Sequence, residues 1–162
     1  MEIRKYNIKD DQQVIQLIAE FRVELSKLKA LDVKLDLVSA KEELHEYRRK
    51  EYPMFVAADT GTISGYLICR VDEDVVWAES LYVAPAFRRK GIASNLHAKA
   101  ESLAKRLGGD TVYYWIHPNN DAIITFLRKH GYSVLNLIEI RGRWKGEVLS
   151  GKMQVGTHEF DY

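Results

Sequence analysis

The stretch from Trp77 to His97, WAESLYVAPAFRRKGIASNLH, constrains the fold more than any other part of the chain. Val75 to Val83 is rich in β-branched and aromatic residues, which suit a pleated surface, and it stops at Pro85, which cannot donate a ladder hydrogen bond. Three cations, Arg88, Arg89 and Lys90, then precede Gly91, and from Ile92 onward apolar residues recur at helical spacing. The segment therefore predicts a strand, a basic turn and a helix start. A helix start carries backbone N–H groups without intrahelical partners and the positive end of the macrodipole, so phosphate oxygens are favoured there, the more so beside cations. Gly91 lacks a Cβ, which lets the backbone approach such a ligand or adopt a positive φ. A basic turn of this kind is also a common solvated loop, so the rest of the chain decides its meaning.

With 162 residues and 46% apolar content, the chain can bury one sizeable core, and a single domain over residues 1–162 is expected, with a mixed tail from about Arg143. A formal net charge of +1 supplies no global field toward nucleic acid or a membrane surface, so neither is expected as a partner. The single cysteine, Cys69, excludes an intrachain disulfide, and its apolar, strand-like surroundings predict a buried structural thiol. No long apolar span and no signal-peptide pattern at Met1 occur, which predicts a cytoplasmic protein. The five histidines and one cysteine show no zinc-ligand spacing, so no metal is expected.

Glu2 to Tyr6 reads as a short strand. Asp10 with Gln13 resembles a capping box opening a helix whose apolar stripe is Val14, Leu17, Ile18, Phe21, Leu25 and Leu28. Lys27 to Val38 is less regular, and Ser39 with Glu42 predicts a second capped helix running to about Glu51, where Tyr52-Pro53 stops it. Met54 to Ala58 and Ile63 to Val71 flank a hairpin turn at Asp59-Thr60-Gly61-Thr62, and Asp72 to Asp74 make another turn, so three consecutive antiparallel strands are predicted. The helix after Gly91 closes at Gly108-Gly109; Thr111 to Ile116 is a strand, a helix starts near Asp121, and Tyr132 to Ile140 reads as a strand buried on both faces. This order predicts an α/β fold: a central mixed, mostly antiparallel sheet with helices on both faces.

Arg88-Arg89-Lys90-Gly91-Ile92-Ala93 fits the pattern Arg/Gln-x-x-Gly-x-Gly/Ala after a strand ending Leu81-Tyr82-Val83, followed by Ala84-Pro85. It resembles the pyrophosphate-binding motif of the GCN5-related N-acetyltransferases, the GNAT family. Asn120 to Tyr132, NDAIITFLRKHGY, resembles that family's second segment, Asn-x-x-Ala-Ile-x-Phe-Tyr-x-Lys-x-Gly-Phe. The element order is similar to the GNAT fold, and the resemblance covers roughly residues 54 to 140. It implies acetyl-CoA as cofactor and a small-molecule or peptide amine as acceptor. Backbone groups of Leu81, Tyr82 and Val83 would pair with pantetheine, and Arg88, Arg89, Lys90, Gly91, Ile92, Ala93 and Ser94 would hold the pyrophosphate. The Asn120 amide would meet the pantetheine arm, although asparagine is equally suited to cap the following helix.

The sequence departs from the family at Leu127, a cofactor-binding position where many members carry a tyrosine that protonates the leaving thiolate. Leucine cannot donate a proton. With a reference thiol pKa of roughly 8.5, the thiolate is a tolerable leaving group, and water, Tyr82 or Tyr114 could supply the proton; both tyrosines also suit strand packing.

Glu79 is the candidate general base, acting directly or through water. Strict alternation would place Glu79, Leu81 and Val83 on one face and Ser80 and Tyr82 on the other unless a bulge intervenes, and family members commonly bulge here. Its ordinary alternative is a strand glutamate paired with a lysine or arginine. Direct transfer needs no nucleophile, because holding the amine and thioester in line supplies much of the rate, and a backbone N–H near Leu81 could stabilise the oxyanion. Acidic residues from Asp32 to Asp36 would favour a cationic acceptor. The resemblance also implies a homodimer. A CoA-responsive binding module that has lost turnover is the alternative that Leu127 motivates, whereas a P-loop reading fails because Gly-x-x-x-x-Gly-Lys-Ser/Thr is absent.

Overall fold

The computed structural model describes residues 1–149 and 151–162. They form two compact units, Met1–Thr125 and Phe126–Tyr162.

In the first unit, β1 (Glu2–Lys5), β2 (Met54–Asp59), β3 (Thr62–Asp72), β4 (Val75–Val83) and β5 (Val112–Tyr113) make one sheet in that spatial order. All neighbours are antiparallel except β4 and β5, which run parallel. The parallel step is the one that needs a crossover, and α3 (Ile92–Arg106) supplies it. α1 (Asp11–Lys27) and α2 (Leu37–Arg49) cover one face, burying Val14, Leu17, Ile18, Ala40 and Leu44 against Val56, Tyr66, Ile68 and Tyr82. The alternate residues Phe55, Ala57, Leu67 and Cys69 are also buried, and α3 packs on that second face with Leu96, Ala100 and Leu103. The mostly antiparallel α/β sheet with helices on both faces is as expected.

The helix starts differ from expectation. Asp10 does not cap α1; it closes a capping box with Asn7 around a short 3-10 turn at Ile8–Asp10 and receives two hydrogen bonds from the Arg4 guanidinium, at 2.7 and 2.8 Å. Gln13 instead ties α1 to the β2–β3 hairpin, donating to the Gly61 carbonyl and accepting from the Ile63 N–H. α2 starts two residues earlier than Ser39 because the Asp36 carboxylate accepts from the Val38 and Ser39 amides, each at 3.0 Å, making Asp36 the cap. Cys69 is buried, and burial pushes its thiol up to about 12, as fits a structural residue.

In the second unit, α4 (Asp121–Lys129) ends, and a hairpin of β6 (Lys152–Val155) and β7 (His158–Asp161) gives the tail a defined form. Tyr132 to Ile140 is not a strand. Val134, Leu135, Leu137 and Ile140 are exposed at 88%, 71%, 75% and 66%. Apolar composition favours a doubly covered strand only when ladder partners exist, and among the described residues this segment pairs with no strand. Beyond it, Glu147 takes both guanidinium nitrogens of Arg141, which lies 3.6 Å from the Trp144 ring.

Candidate active site

The parallel pairing of β4 with β5 extends over two residues only, Val76 with Val112 and Trp77 with Tyr113. The strand expected over Thr111 to Ile116 is therefore shorter, and the cause lies in β4. Opposite β3, Ile68 faces Ser80 but Cys69 faces Ala78, so Glu79 is an extra residue in the ladder. Such a bulge bends its strand and strengthens the local twist. From Glu79 to Val83 the edge of β4 away from β3 is paired with no strand among the described residues. A sheet edge with unpaired N–H and C=O groups is a template for an extended ligand.

The bulge also moves Glu79 between faces. Strict alternation groups it with Leu81 and Val83. Its Oε2 instead accepts from Arg70 Nε at 3.3 Å, and Arg70 shares the parity of Tyr66 and Ile68 on the face covered by α1 and α2. Glu79 thus joins Ser80, whose hydroxyl bonds the Tyr66 hydroxyl at 2.9 Å, and Tyr82. Arg70 lies 5.0 Å from the Trp77 ring and 4.9 Å from the Trp115 ring. The ordinary role expected of a strand glutamate, an arginine partner, is present. Leu81 lies partly buried opposite Leu67.

At the far end of this edge the chain turns through Pro85–Phe87 into the basic segment. Arg89 and Gly91 both take positive φ, 63° and 78°, and α3 begins at Ile92. An ideal Cβ on Gly91 would meet nothing within 4 Å, so the requirement for glycine is conformational. The first intrahelical bond runs from the Asn95 N–H to the Gly91 carbonyl, which leaves the amides of Ile92, Ala93 and Ser94 ahead of it in the first turn. Arg88 turns back from this rim. Its Nε donates to the Val83 carbonyl at 2.8 Å, and its Nη2 donates to both Glu24 oxygens of α1, at 2.7 and 2.8 Å. Tyr82 donates to the same carboxylate at 2.9 Å, and burial, with that bond second, holds its phenol well above the usual range. Lys90 reaches the Ala86 carbonyl and the Phe87 ring.

The Asn120 side-chain carbonyl accepts from the Ile123 N–H at 3.3 Å, the capping role. Leu127 is buried and belongs to the second unit. Tyr114 points its hydroxyl at buried His97, 2.6 Å from Nδ1, on the α3 face. Asp36, engaged at the α2 cap, draws its carboxyl below the usual carboxylate range through the Ser39 hydroxyl first. Three participants escaped sequence reasoning: Glu24, Arg70 and Trp115. Arg70 had one legible signal, its even-numbered register with Tyr66 and Ile68; the other two are brought in by tertiary contacts. Among the described residues no group of His, Cys, Asp and Glu is placed to hold a metal ion, and no helix is long and apolar enough to cross a membrane.

Residues 16–132 match the acetyltransferase (GNAT) family, more than half of the chain. The chain belongs to the GNAT family. Solved structures agree on the fold. An aminoglycoside 6'-N-acetyltransferase from Acinetobacter haemolyticus superposes with a TM-score of 0.69 at 19% identity, covering 90% of this chain and 99% of that one. The PaiA N-acetyltransferase from Thermoplasma acidophilum, solved with coenzyme A, gives 0.72 at 22%, covering 85% and 92%. An aminoglycoside acetyltransferase from an uncultured soil sample, solved with sisomicin, gives 0.65 at 20%, covering 89% and 96%. In this GNAT chain the two motif segments fall on the β4–α3 turn and on α4.

Proposed function

We propose that this GNAT protein is an acetyl-CoA-dependent N-acetyltransferase acting on a primary amine. The observation that carries this is the divergence of β4 from β5 at the Glu79 bulge, which opens an unpaired strand edge leading to the N-terminus of α3. Two structures of the same fold hold coenzyme A, one of them an aminoglycoside acetyltransferase, and another aminoglycoside acetyltransferase holds sisomicin.

Pantetheine would lie along the free edge of Leu81, Tyr82 and Val83 like an added strand. The pyrophosphate would face the first-turn amides of Ile92, Ala93 and Ser94 beside Arg88, Arg89 and Lys90, with the Asn120 amide nearer the arm. Arg88 would have to share or leave Glu24 to take part. Glu79 would accept the proton from the ammonium, directly or through water. The amine nitrogen then bonds the acetyl carbonyl carbon and gives its second proton to solvent, the carbon–sulfur bond breaks, and the electron pair leaves on sulfur. Since Leu127 cannot protonate the thiolate, the proton comes from solvent, and the low basicity of a thiolate makes this tolerable. The same reading includes a homodimer, which a light-scattering mass of one chain would remove.

The Arg70–Glu79 pair together with Leu127 favours one second reading, an acyl-CoA sensor with little turnover. Release of free thiol from acetyl-CoA across a panel of amines separates the two. Release above the hydrolysis background supports the transferase; binding without release to any amine supports the sensor.

A further inference from the structure

Arg70, Trp77, Trp115 and Glu79 form a cluster that the transfer chemistry alone does not require. The Trp77 and Trp115 rings lie 5.1 Å apart with a 52° tilt, and one guanidinium sits about equally near both, 5.0 and 4.9 Å from their centroids. Tyr113 extends the platform, 5.0 Å from Trp77. Glu79 Oε2 closes the edge at 3.3 Å from Arg70 Nε. What space remains, lined by Trp77, Ala78, Glu79 and Trp115, is about 10 Å³, room for one water. Trp115 is 70% exposed, an unusual placement for an indole with only a packing role. It also follows Tyr113, the last residue paired to β4, and so stands where the strands diverge.

Indole faces attract cations electrostatically. A seated arginine shows what such a place prefers. We propose that Trp77 and Trp115, with Glu79 at their edge, form the acceptor subsite for a cationic group, and that Arg70 holds the seat until the acceptor displaces it. The proposal rests on the acetyltransferase reading for the word acceptor, but not for the binding itself. Indole faces that stabilise a cation oppose loss of its proton, so the group held on them is not the amine that reacts, and Glu79 at their edge is left to the reacting nitrogen. The acceptor therefore carries at least two positive charges, one on the indoles and another nitrogen at the β4–β5 divergence.

Calorimetric titration of the cofactor-free protein with 1,4-diaminobutane and with 1-aminobutane tests this. The diamine should bind saturably and the monoamine at least about tenfold more weakly. Arg70→Gln, which vacates the seat, should tighten the diamine at least about threefold, and Trp115→Leu should weaken it about tenfold while Trp115→Phe retains most of it. Equal binding of the two amines, no diamine binding, no tightening in a folded Arg70→Gln variant, or unchanged affinity in Trp115→Leu would each overturn the subsite. Diamine binding without thiol release from acetyl-CoA to any amine of the panel would leave the subsite standing and remove the transferase. Thiol release to both amines with a KM indifferent to Trp115→Leu would do the reverse.

Discussion

With Arg70 as its neighbour, Glu79 is the residue on which bond-making depends in the proposed reaction. Replacing it with glutamine keeps the shape and removes the proton acceptor, so Glu79→Gln should lower thiol release by about 10²- to 10⁴-fold with acetyl-CoA affinity unchanged. Turnover equal to wild type would take Glu79 out of the chemistry. Glu24 should act in the opposite direction. It holds Arg88 through two hydrogen bonds on a half-exposed pair, and Glu24→Gln should free that cation and tighten acetyl-CoA by about two- to fivefold at low salt. A weaker affinity would mean that Glu24 positions Arg88 for the cofactor. Two further residues carry the fold here. Gly65 faces Val83 so closely that an added Cβ would lie 2.7 Å from the Tyr82 carbonyl oxygen, so Gly65→Ala should cost about 1–3 kcal/mol in denaturant unfolding. Cys69, buried with its thiol pushed up to about 12, should stay silent to thiol reagents until the protein unfolds and so not disturb a CoA-release assay.

At the scale of elements, the turn between β1 and α1 shows how pH enters stability. The Arg4 guanidinium, hydrogen-bonding the Asp10 carboxylate, holds that carboxyl below its usual range. A carboxyl lowered in the folded state contributes stability that is fully present above its unfolded pKa, about 3.9, and is lost as pH falls through the folded value. Asp10→Asn should therefore lower the melting temperature near neutrality and flatten its fall below pH 4; an unchanged acid limb would contradict this. The same turn shows what sequence could and could not reveal. Helix periodicity located α1 and α2 well because the stripe at Val14, Leu17 and Ile18 has to be buried. The caps went elsewhere because Asn7 competes for Asp10 and Asp36 competes with Ser39, choices settled by backbone geometry that residue identity leaves open. Motif spacing placed Gly91 correctly at a left-handed helix start. Alternation alone groups Glu79 with Leu81 and Val83; the bulge that the family resemblance allowed for is present and moves it, and its exact place depends on which residue of the partner strand it slips past.

For the molecule as a whole, the order of elements was enough to predict the mixed sheet, because the Pro85 stop, the Gly91 helix start and the short hairpins permit few topologies. The apolar run at Tyr132 to Ile140 was not enough to make a strand, and its exposed side chains show that composition specifies a buried strand only together with ladder partners. The proposed cofactor cleft depends on two features in one unit, the open edge of β4 and the first turn of α3, and one comparison tests them together. Acetyl-CoA is titrated calorimetrically into wild type, Gly91→Glu and Gly91→Asn. Asparagine tolerates the left-handed conformation without adding charge, whereas glutamate places a carboxylate where the pyrophosphate would sit. The predicted result is saturable one-to-one binding to wild type, most of it kept by Gly91→Asn and at least about tenfold lost by a folded Gly91→Glu. No saturable binding to wild type, or the same affinity in Gly91→Glu, would contradict the cleft.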